Sequence, residues 1–345
     1  MKNQNGIRVH LYFMVLFLLA MRFSPVAAQE TTPQPQPEQG ILFISDRDGQ
    51  RTLEVMNADG SDIHPLVDSP FEEGGKLQSA SLPPDGQTLA IVSHKDRTGT
   101  GVPGTDAIFL LDIHSRLVVR LFDEGVNQGF PAWSPDGKRL AYLWGGGIDV
   151  NGYFEVRVFN IENGQTQTLI KGQSGVMAQA IDYDAAAAIW SVNWSPDGQQ
   201  LILDAFTALP DGYHILVVIN QDGSDLHRVT SNDVKAFLPV WGSFSNKIYF
   251  VQGFSGYHEI CSLDLDTLKI TVLSDIRKAL PDERQPYITQ LDVSADGQIA
   301  VGIGLRKSNS IYLFNPEDRT FVNIIQDDTV TNDLLGWVNL PSVQS

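Results

Sequence analysis

Few residues in this chain have the types and spacing that catalysis requires. The seven histidines include no His-Glu-x-x-His zinc motif, and one cysteine, Cys261, cannot build a cysteine-rich metal site. The hydrolase elbow Gly-x-Ser-x-Gly is missing, because Gly172 to Gly175 and Gly253 to Gly256 each place the second glycine one residue too early. The sequence therefore predicts no catalytic residue, no metal site and no cofactor.

The elements that must position any site are set by an internal repeat. The segment 131–143 (PAWSPDGKRLAYL) returns as 192–204 (VNWSPDGQQLILD), and weaker copies follow elsewhere. In each strong copy, a short apolar segment that ends in Trp is followed directly by Ser-Pro-Asp-Gly. Proline suits the second position of a type I turn, and glycine supplies a left-handed residue after it. Each copy therefore predicts a tight hairpin between two antiparallel strands.

A second turn signal completes a four-stranded unit. The segments 55–66 (VMNADGSDIHPL) and 218–229 (VINQDGSDLHRV) nearly coincide, and Asn163-Gly164 fills the same place in another copy. Four short strands per repeat describe the blade of a β-propeller. We expect an incomplete first blade at 41–67 and further blades at 77–121, 129–170, 188–230, 235–273 and 287–325.

The first of these blades lacks an innermost strand, and the C-terminal segment 333–340 (DLLGWVNL) can supply it. The predicted fold class is therefore all-β. It is a six-bladed propeller of four-stranded antiparallel blades, in which the C-terminal strand completes blade 1 and closes the ring. Closure leaves no unpaired inner strand.

Tryptophan recurs at one position of the repeat. We interpret the tryptophans in this slot as packing between blades, and they are Trp133, Trp194, Trp241 and Trp337. Trp144 and Trp190 lie outside the slot and are better candidates for exposure.

These turns resemble those of WD-repeat-like propellers of the TolB type. The matching segments are SPDG at 134–137 and 195–198, SDRDG at 45–49 and NADGS at 57–61. The resemblance covers about residues 40–340 and implies the propeller. TolB carries an additional α/β domain ahead of its propeller, where this chain has a short linker, so a subunit role in an envelope complex is an alternative only. Similar propellers accompany prolyl-oligopeptidase-type hydrolases and occur in some polysaccharide lyases.

The N-terminus predicts export. Residues 1–28 combine a basic start, an apolar run and Val26-Ala27-Ala28, which suits signal-peptidase cleavage before Gln29. Residues 29–39 form a Pro/Gln-rich linker, and 40–345 form the propeller. Cleavage changes the net charge from −17 to −20, because residues 1–28 hold three basic residues and no acid. This charge argues against nucleic-acid partners and anionic membranes. We expect a secreted or periplasmic monomer without stable membrane insertion.

Loop lengths predict which face meets a partner. The tight turns after the first and third strands of each blade fall on one face of the ring, which we call the tight-turn face. The long connections fall on the other, which we call the long-loop face, and long loops on a rigid scaffold often bind ligands. The predicted ligand contacts lie in or beside these connections: His94, Asp96, Arg97, Trp144, Asp149, Tyr153, Tyr183, Asp184, Trp190, Tyr257 and His258.

Two classes of function follow. The first is an exported, non-catalytic propeller that binds a protein, peptide or glycan at the cell envelope through the long-loop face. The alternative is a glycan-acting enzyme, lyase-like or hydrolase-like, with its site at the channel mouth. A deep cleft in which His214, Asp204 and loop carboxylates converge would favour the enzyme, and a shallow, open ring would favour binding.

Overall fold

The computed structural model describes fourteen ranges of the chain: 39–47, 50–67, 75–95, 106–122, 127–147, 152–171, 186–207, 213–231, 233–244, 246–254, 257–280, 285–305, 308–325 and 330–339. The predicted signal peptide and nearly all of the predicted linker lie outside these residues. Within the ranges, no helix combines the length and apolar character that a membrane crossing requires.

The described chain consists of 24 strands and one short helix, α1 (Ile276–Ala279). The strands of the first half are β1 Gln39–Arg47, β2 Gln50–Asn57, β3 His64–Val67, β4 Gly75–Ser81, β5 Thr88–Lys95, β6 Asp106–Asp112, β7 Val118–Arg120, β8 Gln128–Trp133, β9 Arg139–Gly147, β10 Gly152–Asn160, β11 Thr166–Ile170 and β12 Ala186–Trp194. The strands of the second half are β13 Gln200–Thr207, β14 His214–Asn220, β15 His227–Arg228, β16 Ala236–Trp241, β17 Lys247–Phe254, β18 Tyr257–Asp264, β19 Lys269–Asp275, β20 Tyr287–Val293, β21 Ile299–Gly304, β22 Asn309–Asn315, β23 Thr320–Asn323 and β24 Asn332–Asn339.

The strands form six four-stranded antiparallel blades, as the repeat predicts. Blade 1 has the order β24-β1-β2-β3, and blades 2 to 6 each take four consecutive strands, from β4–β7 to β20–β23. Blades 3 and 4 also touch through one bridge between Tyr153 and Ile189. The apolar core lies between neighbouring blades; for example, Ala90 and Ile108 of blade 2 belong to the same buried cluster as Leu140 of blade 3.

The Ser-Pro-Asp-Gly turns adopt the predicted geometry. Gly137 has φ 68° and Gly198 has φ 67°, which is the left-handed region that favours glycine. The N–H of Gly137 donates to the carbonyl of Ser134 over 2.9 Å, which closes the turn. The carboxylate of Asp136 accepts the N–H of Lys138 over 3.1 Å. The aspartate is therefore used inside the turn.

The tryptophan slot holds neighbouring blades together. The indole Nε1 of Trp194 donates to the carbonyl of Ala132 in the preceding blade over 3.0 Å. Trp133 and Trp241 make the equivalent bonds, at 3.1 Å and 3.2 Å. Trp337 also occupies the slot, because it pairs with Ile41 as Trp194 pairs with Leu201. Its Nε1 differs from the other three in having no hydrogen-bond partner among the described residues.

The C-terminal strand closes the ring, which confirms the predicted topology. β24 pairs with β1 from Gln39 to Ser45, so blade 1 is built from both ends of the chain. At the tight-turn face, the side-chain amide of Asn339 donates to the carbonyl of Pro84 in blade 2 over 2.8 Å. On its other side, the N–H of Trp337 donates to the carboxylate of Asp292 in blade 6 over 2.6 Å. Both neighbouring blades therefore hold the closing strand.

Candidate functional site

The six inner strands surround a central cavity of about 700 Å³. Its wall includes residues of β4, β8, β12, β16, β20 and β24, so every blade contributes. A volume of this size lies in the range of small-ligand sites. The inner strand of each blade runs from the long-loop face to the tight-turn face, so the first residues of these strands lie at the long-loop end of the cavity.

A buried aspartate and a histidine meet in this wall. Asp204 of β13 is 3% exposed, and its Oδ1 lies 2.6 Å from Nδ1 of His214 on β14. Its Oδ2 accepts the N–H of Leu238 in blade 5 over 3.4 Å. Asp204 therefore orients the imidazole and links two blades. With Nδ1 bound to the carboxylate, Nε2 of His214 is the ring nitrogen left for other contacts, and the side chain is 31% exposed.

Asp204 departs from the repeat. The same position of the second strand is occupied by Val92 in blade 2, Leu143 in blade 3, Val251 in blade 5 and Gly302 in blade 6. An acid in a position that is otherwise apolar or glycine costs solvation and is usually retained for a specific partner. The partners here are His214 and the backbone of the next blade.

The neighbouring blade carries a second histidine at the position of His214. His258 pairs with Gly253 of blade 5 as His214 pairs with Phe206 of blade 4, and its Nδ1 accepts the N–H of Ile288 over 2.9 Å. This bond requires the neutral ring with its proton on Nε2. Burial, with a smaller contribution from Arg277, lowers the pKa of His258 below its usual value of 6.5. The fold therefore favours the neutral ring.

Aromatic rings join the two histidines. The ring of Phe237 lies 5.9 Å from that of His214 and 5.1 Å from that of His258. Trp190 lies 6.1 Å from His214 on the other side. We call this set, with Asp204, the channel-mouth cluster. It places two aromatic rings, a carboxylate and the imidazole of His214 in the cavity wall, with the imidazole of His258 against Phe237.

Two further carboxylates line the cavity in blades 6 and 1. Asp333 contacts Arg51 over 2.5 Å and accepts the side-chain amide of Asn309 over 2.6 Å. Asp292, nearer the tight-turn face, accepts the N–H of Trp337, and burial raises its pKa to about 6. Both acids hold the closing strand, so their first role is structural.

The structure brings two of the sequence-predicted contacts into the cluster, Trp190 and His258. Trp144 is partly exposed, and the guanidinium carbon of Arg157 lies 3.7 Å from its ring centre. For His94, Tyr153 and Tyr257 the structure describes the backbone at the long-loop ends of β5, β10 and β18. The other predicted contacts lie outside the described residues: Asp96, Arg97, Asp149, Tyr183 and Asp184.

Sequence reasoning named Asp204 and His214 only as residues whose convergence would favour an enzyme, and it left Phe237 out; all three lie within strands and not in long loops. The signal that could have singled out Asp204 is its place in the aligned repeat. Among the described residues, no group of three or more His, Cys, Asp or Glu side chains is placed to hold a metal ion. Cys261 is fully buried, and burial, aided by Glu259, raises its pKa to about 12.

The architecture defines the class of protein: a six-bladed β-propeller. No protein-family model and no curated protein sequence matches this chain. Among solved structures, TolB from Acinetobacter baumannii is similar with a TM-score of 0.63 and 16% identity, over 87% of this chain and 67% of that one.

Two other similar structures come from different kinds of protein. A chain of a nidogen/laminin complex has a TM-score of 0.59 and 10% identity, over 88% of this chain and 98% of that one. Oligogalacturonate lyase from Vibrio parahaemolyticus has a TM-score of 0.53 and 14% identity, over 82% and 73%. At these identities the likeness shows a shared propeller fold, with TolB proteins among those that have it.

Proposed function

We propose that this protein is an exported, non-catalytic propeller that binds a protein, peptide or glycan at the long-loop end of its channel. The observation that carries the proposal is the cavity of about 700 Å³ with the channel-mouth cluster at that end. The predicted signal sequence in residues 1–28 supports export, and the strongly negative net charge supports a soluble, monomeric protein.

The cluster suits ligand binding because it combines rigidity with chemical variety. Its polar groups are fixed by contacts between blades, as in the bond from Leu238 to Asp204. Preorganised groups bind at a lower cost in conformational entropy than mobile ones. The solved propeller in a nidogen/laminin complex is consistent with a binding role for this fold.

A second candidate function is a glycan-acting enzyme, and one contact favours it. A buried carboxylate that holds Nδ1 of a histidine leaves Nε2 available as a general base, and Asp204 and His214 have this arrangement over 2.6 Å. The oligogalacturonate lyase among the similar structures is consistent with such a use of the fold. The two candidates differ in whether the bound molecule is changed.

The test compares two histidine substitutions in the mature protein. His214→Gln alters the channel mouth. His227→Gln alters β15 beside the tight-turn face, where His227 is half-exposed and its Nδ1 lies 2.8 Å from the carbonyl of Asp225. Binding to peptide and glycan arrays is measured for both variants and the wild type, and the glycans and peptides are then analysed by mass spectrometry for cleavage.

We expect His214→Gln to lose binding and His227→Gln to retain it, with every ligand recovered intact. Equal loss in both variants would contradict a site at the channel mouth. If the wild type cleaves a glycan by hydrolysis or elimination and His214→Gln does not, the enzymatic function is correct and the binding function is wrong.

A further inference from the structure

We propose that the ligand of the channel is an uncharged oligosaccharide and not an acidic one. The proposal rests on the proposed binding function and specifies its ligand. It follows from the charges of the channel wall, from its unpaired hydrogen-bond donors and from its aromatic rings.

The charges of the wall disfavour anions. The carboxylates of Asp204, Asp292 and Asp333 line the cavity, and the described residues that line it include no lysine or arginine. Anionic sugars and phosphates are normally bound by arginine or lysine, with which they form charge-assisted hydrogen bonds. Arg51 contacts Asp333 but is itself outside the lining. Among the described residues of the wall, a uronate would therefore face carboxylates without a cation to pair with.

Unpaired donors of the wall require acceptors. Nε1 of Trp190, Oγ of Ser191 and Nε1 of Trp337 are buried and have no hydrogen-bond partner among the described residues. All three residues line the cavity. A buried donor without an acceptor costs free energy, which a ligand oxygen placed within reach recovers.

Sugar hydroxyls meet this requirement better than a peptide does. A hydroxyl oxygen accepts hydrogen bonds and can rotate its own proton toward any available acceptor. Each peptide unit instead brings an obligatory N–H donor that needs an acceptor of its own. In the channel, Asp204 and Asp333 already accept bonds from the protein. The three buried groups without a partner, two indole N–H groups and one hydroxyl, can all donate, so they match a ligand rich in oxygen acceptors.

Aromatic rings at the mouth provide apolar faces for a sugar ring. Trp190, Phe237 and the two histidines form a continuous series of ring contacts across blades 4 and 5. In blade 6, Tyr287, the first residue of β20, is 44% exposed beside Ile288, which lines the cavity. Exposed aromatic rings combine an apolar surface with low conformational entropy, which suits carbohydrate contacts.

The experiment measures binding of three hexamers to the mature protein by calorimetry, namely N-acetylglucosamine hexamer, cellohexaose and galacturonate hexamer. Trp190→Phe and Trp337→Phe remove the unpaired donors and keep an aromatic ring. Trp241→Phe is the matched control, because its indole donates to the carbonyl of Asn193 and the residue lies outside the cavity lining. The melting temperature of each variant is measured without ligand.

We expect at least one neutral hexamer to bind and the galacturonate hexamer not to bind. Trp190→Phe and Trp337→Phe should each weaken binding about fivefold or more, since each removes a bond to the ligand, and should lower the melting temperature less than Trp241→Phe does, because their indole N–H groups have no partner among the described residues. Trp241→Phe should lower the melting temperature and leave the dissociation constant unchanged. This opposite pattern separates a ligand role from a structural role.

Three results would overturn the proposal. Neither neutral hexamer binds; the galacturonate hexamer binds more tightly than the neutral ones; or Trp190→Phe and Trp337→Phe both bind the neutral hexamers as tightly as the wild type does. If the neutral hexamers fail but a peptide binds in a manner that His214→Gln abolishes, the ligand class is wrong and the proposed site stands. If a hexamer binds and His214→Gln has no effect, the proposed site is wrong as well.

Discussion

Asp292 provides a prediction whose size follows from the structure. Its carboxylate links blade 6 to the closing strand by accepting the N–H of Trp337 over 2.6 Å. Burial raises the pKa from 3.8 to about 6, although the N–H groups of Trp337 and Val293 act in the opposite direction. Such a shift corresponds to about 3 kcal/mol between the two protonation states.

The sign of the pH dependence follows from proton binding. Asp292 binds its proton more tightly in the folded state, so its contribution to stability is fully present below pH 3.8 and is lost as the pH rises through about 6. Asp292→Asn keeps an oxygen that accepts the N–H of Trp337 and removes the charge. The variant should therefore gain up to about 3 kcal/mol relative to wild type between pH 4 and pH 7.5.

The assay is urea denaturation of the wild type and Asp292→Asn at pH 4 and pH 7.5. Asp296→Asn, four residues away in the same blade, is the control. Hydrogen bonds from Ser294 and Gln298 lower the pKa of Asp296, so its contribution is present above its usual pKa and lost at acid pH. Both assay pH values lie above the usual pKa of 3.8, so the stability of the control relative to wild type should be about the same at pH 4 and at pH 7.5. A gain for Asp292→Asn that is equal at both pH values, or larger at pH 4, would refute this account of burial.

The remaining predictions concern closure, the channel mouth and the buried thiol. Deleting 332–345 should destabilise the protein by roughly 3–6 kcal/mol through the lost burial of Leu334 and Val338 alone, and a calorimetric melting temperature equal to that of the intact protein would contradict ring closure. Asp204→Ala should cost about 1–3 kcal/mol in urea denaturation, because Leu238 and His214 lose their buried partner; unchanged stability would argue against the link between blades. Cys261 should not react with a thiol reagent at pH 8 until the protein is unfolded, since burial raises its pKa to about 12, and rapid labelling of the folded protein would contradict that burial.

The blades were predictable from sequence because their signals are local. The Ser-Pro-Asp-Gly turns need a proline and a left-handed glycine, and Gly137 and Gly198 have that conformation. Ring closure was predictable for a different reason. The first blade has only three strands in the N-terminal part of the sequence, and the C-terminal segment carries a tryptophan at the position that marks an inner strand. β1 begins at Gln39, the last residue of the predicted linker.

The channel mouth was less predictable because it depends on contacts between blades. His258 was expected as a loop contact, but its structural role is to accept the N–H of Ile288 in the next blade. The approach of His214 to Asp204 requires the register of two paired strands, which periodicity alone does not give. The missing hydrogen-bond partner of the Trp337 indole could not be predicted, because the sequence places Trp337 in the same slot as three tryptophans whose indoles are hydrogen-bonded.

The most direct test of a ligand site at the long-loop end of the channel is proton NMR of the histidine rings during titration with N-acetylglucosamine hexamer. His214 lines the channel and His258 contacts Phe237, which also lines it, whereas His64 and His227 begin the outermost strands beside the tight-turn face. One sample therefore contains both test and control. We expect saturable shifts of the His214 and His258 signals and none for His64 and His227. Shifts confined to His64 and His227, or no shift at any histidine, would contradict the account.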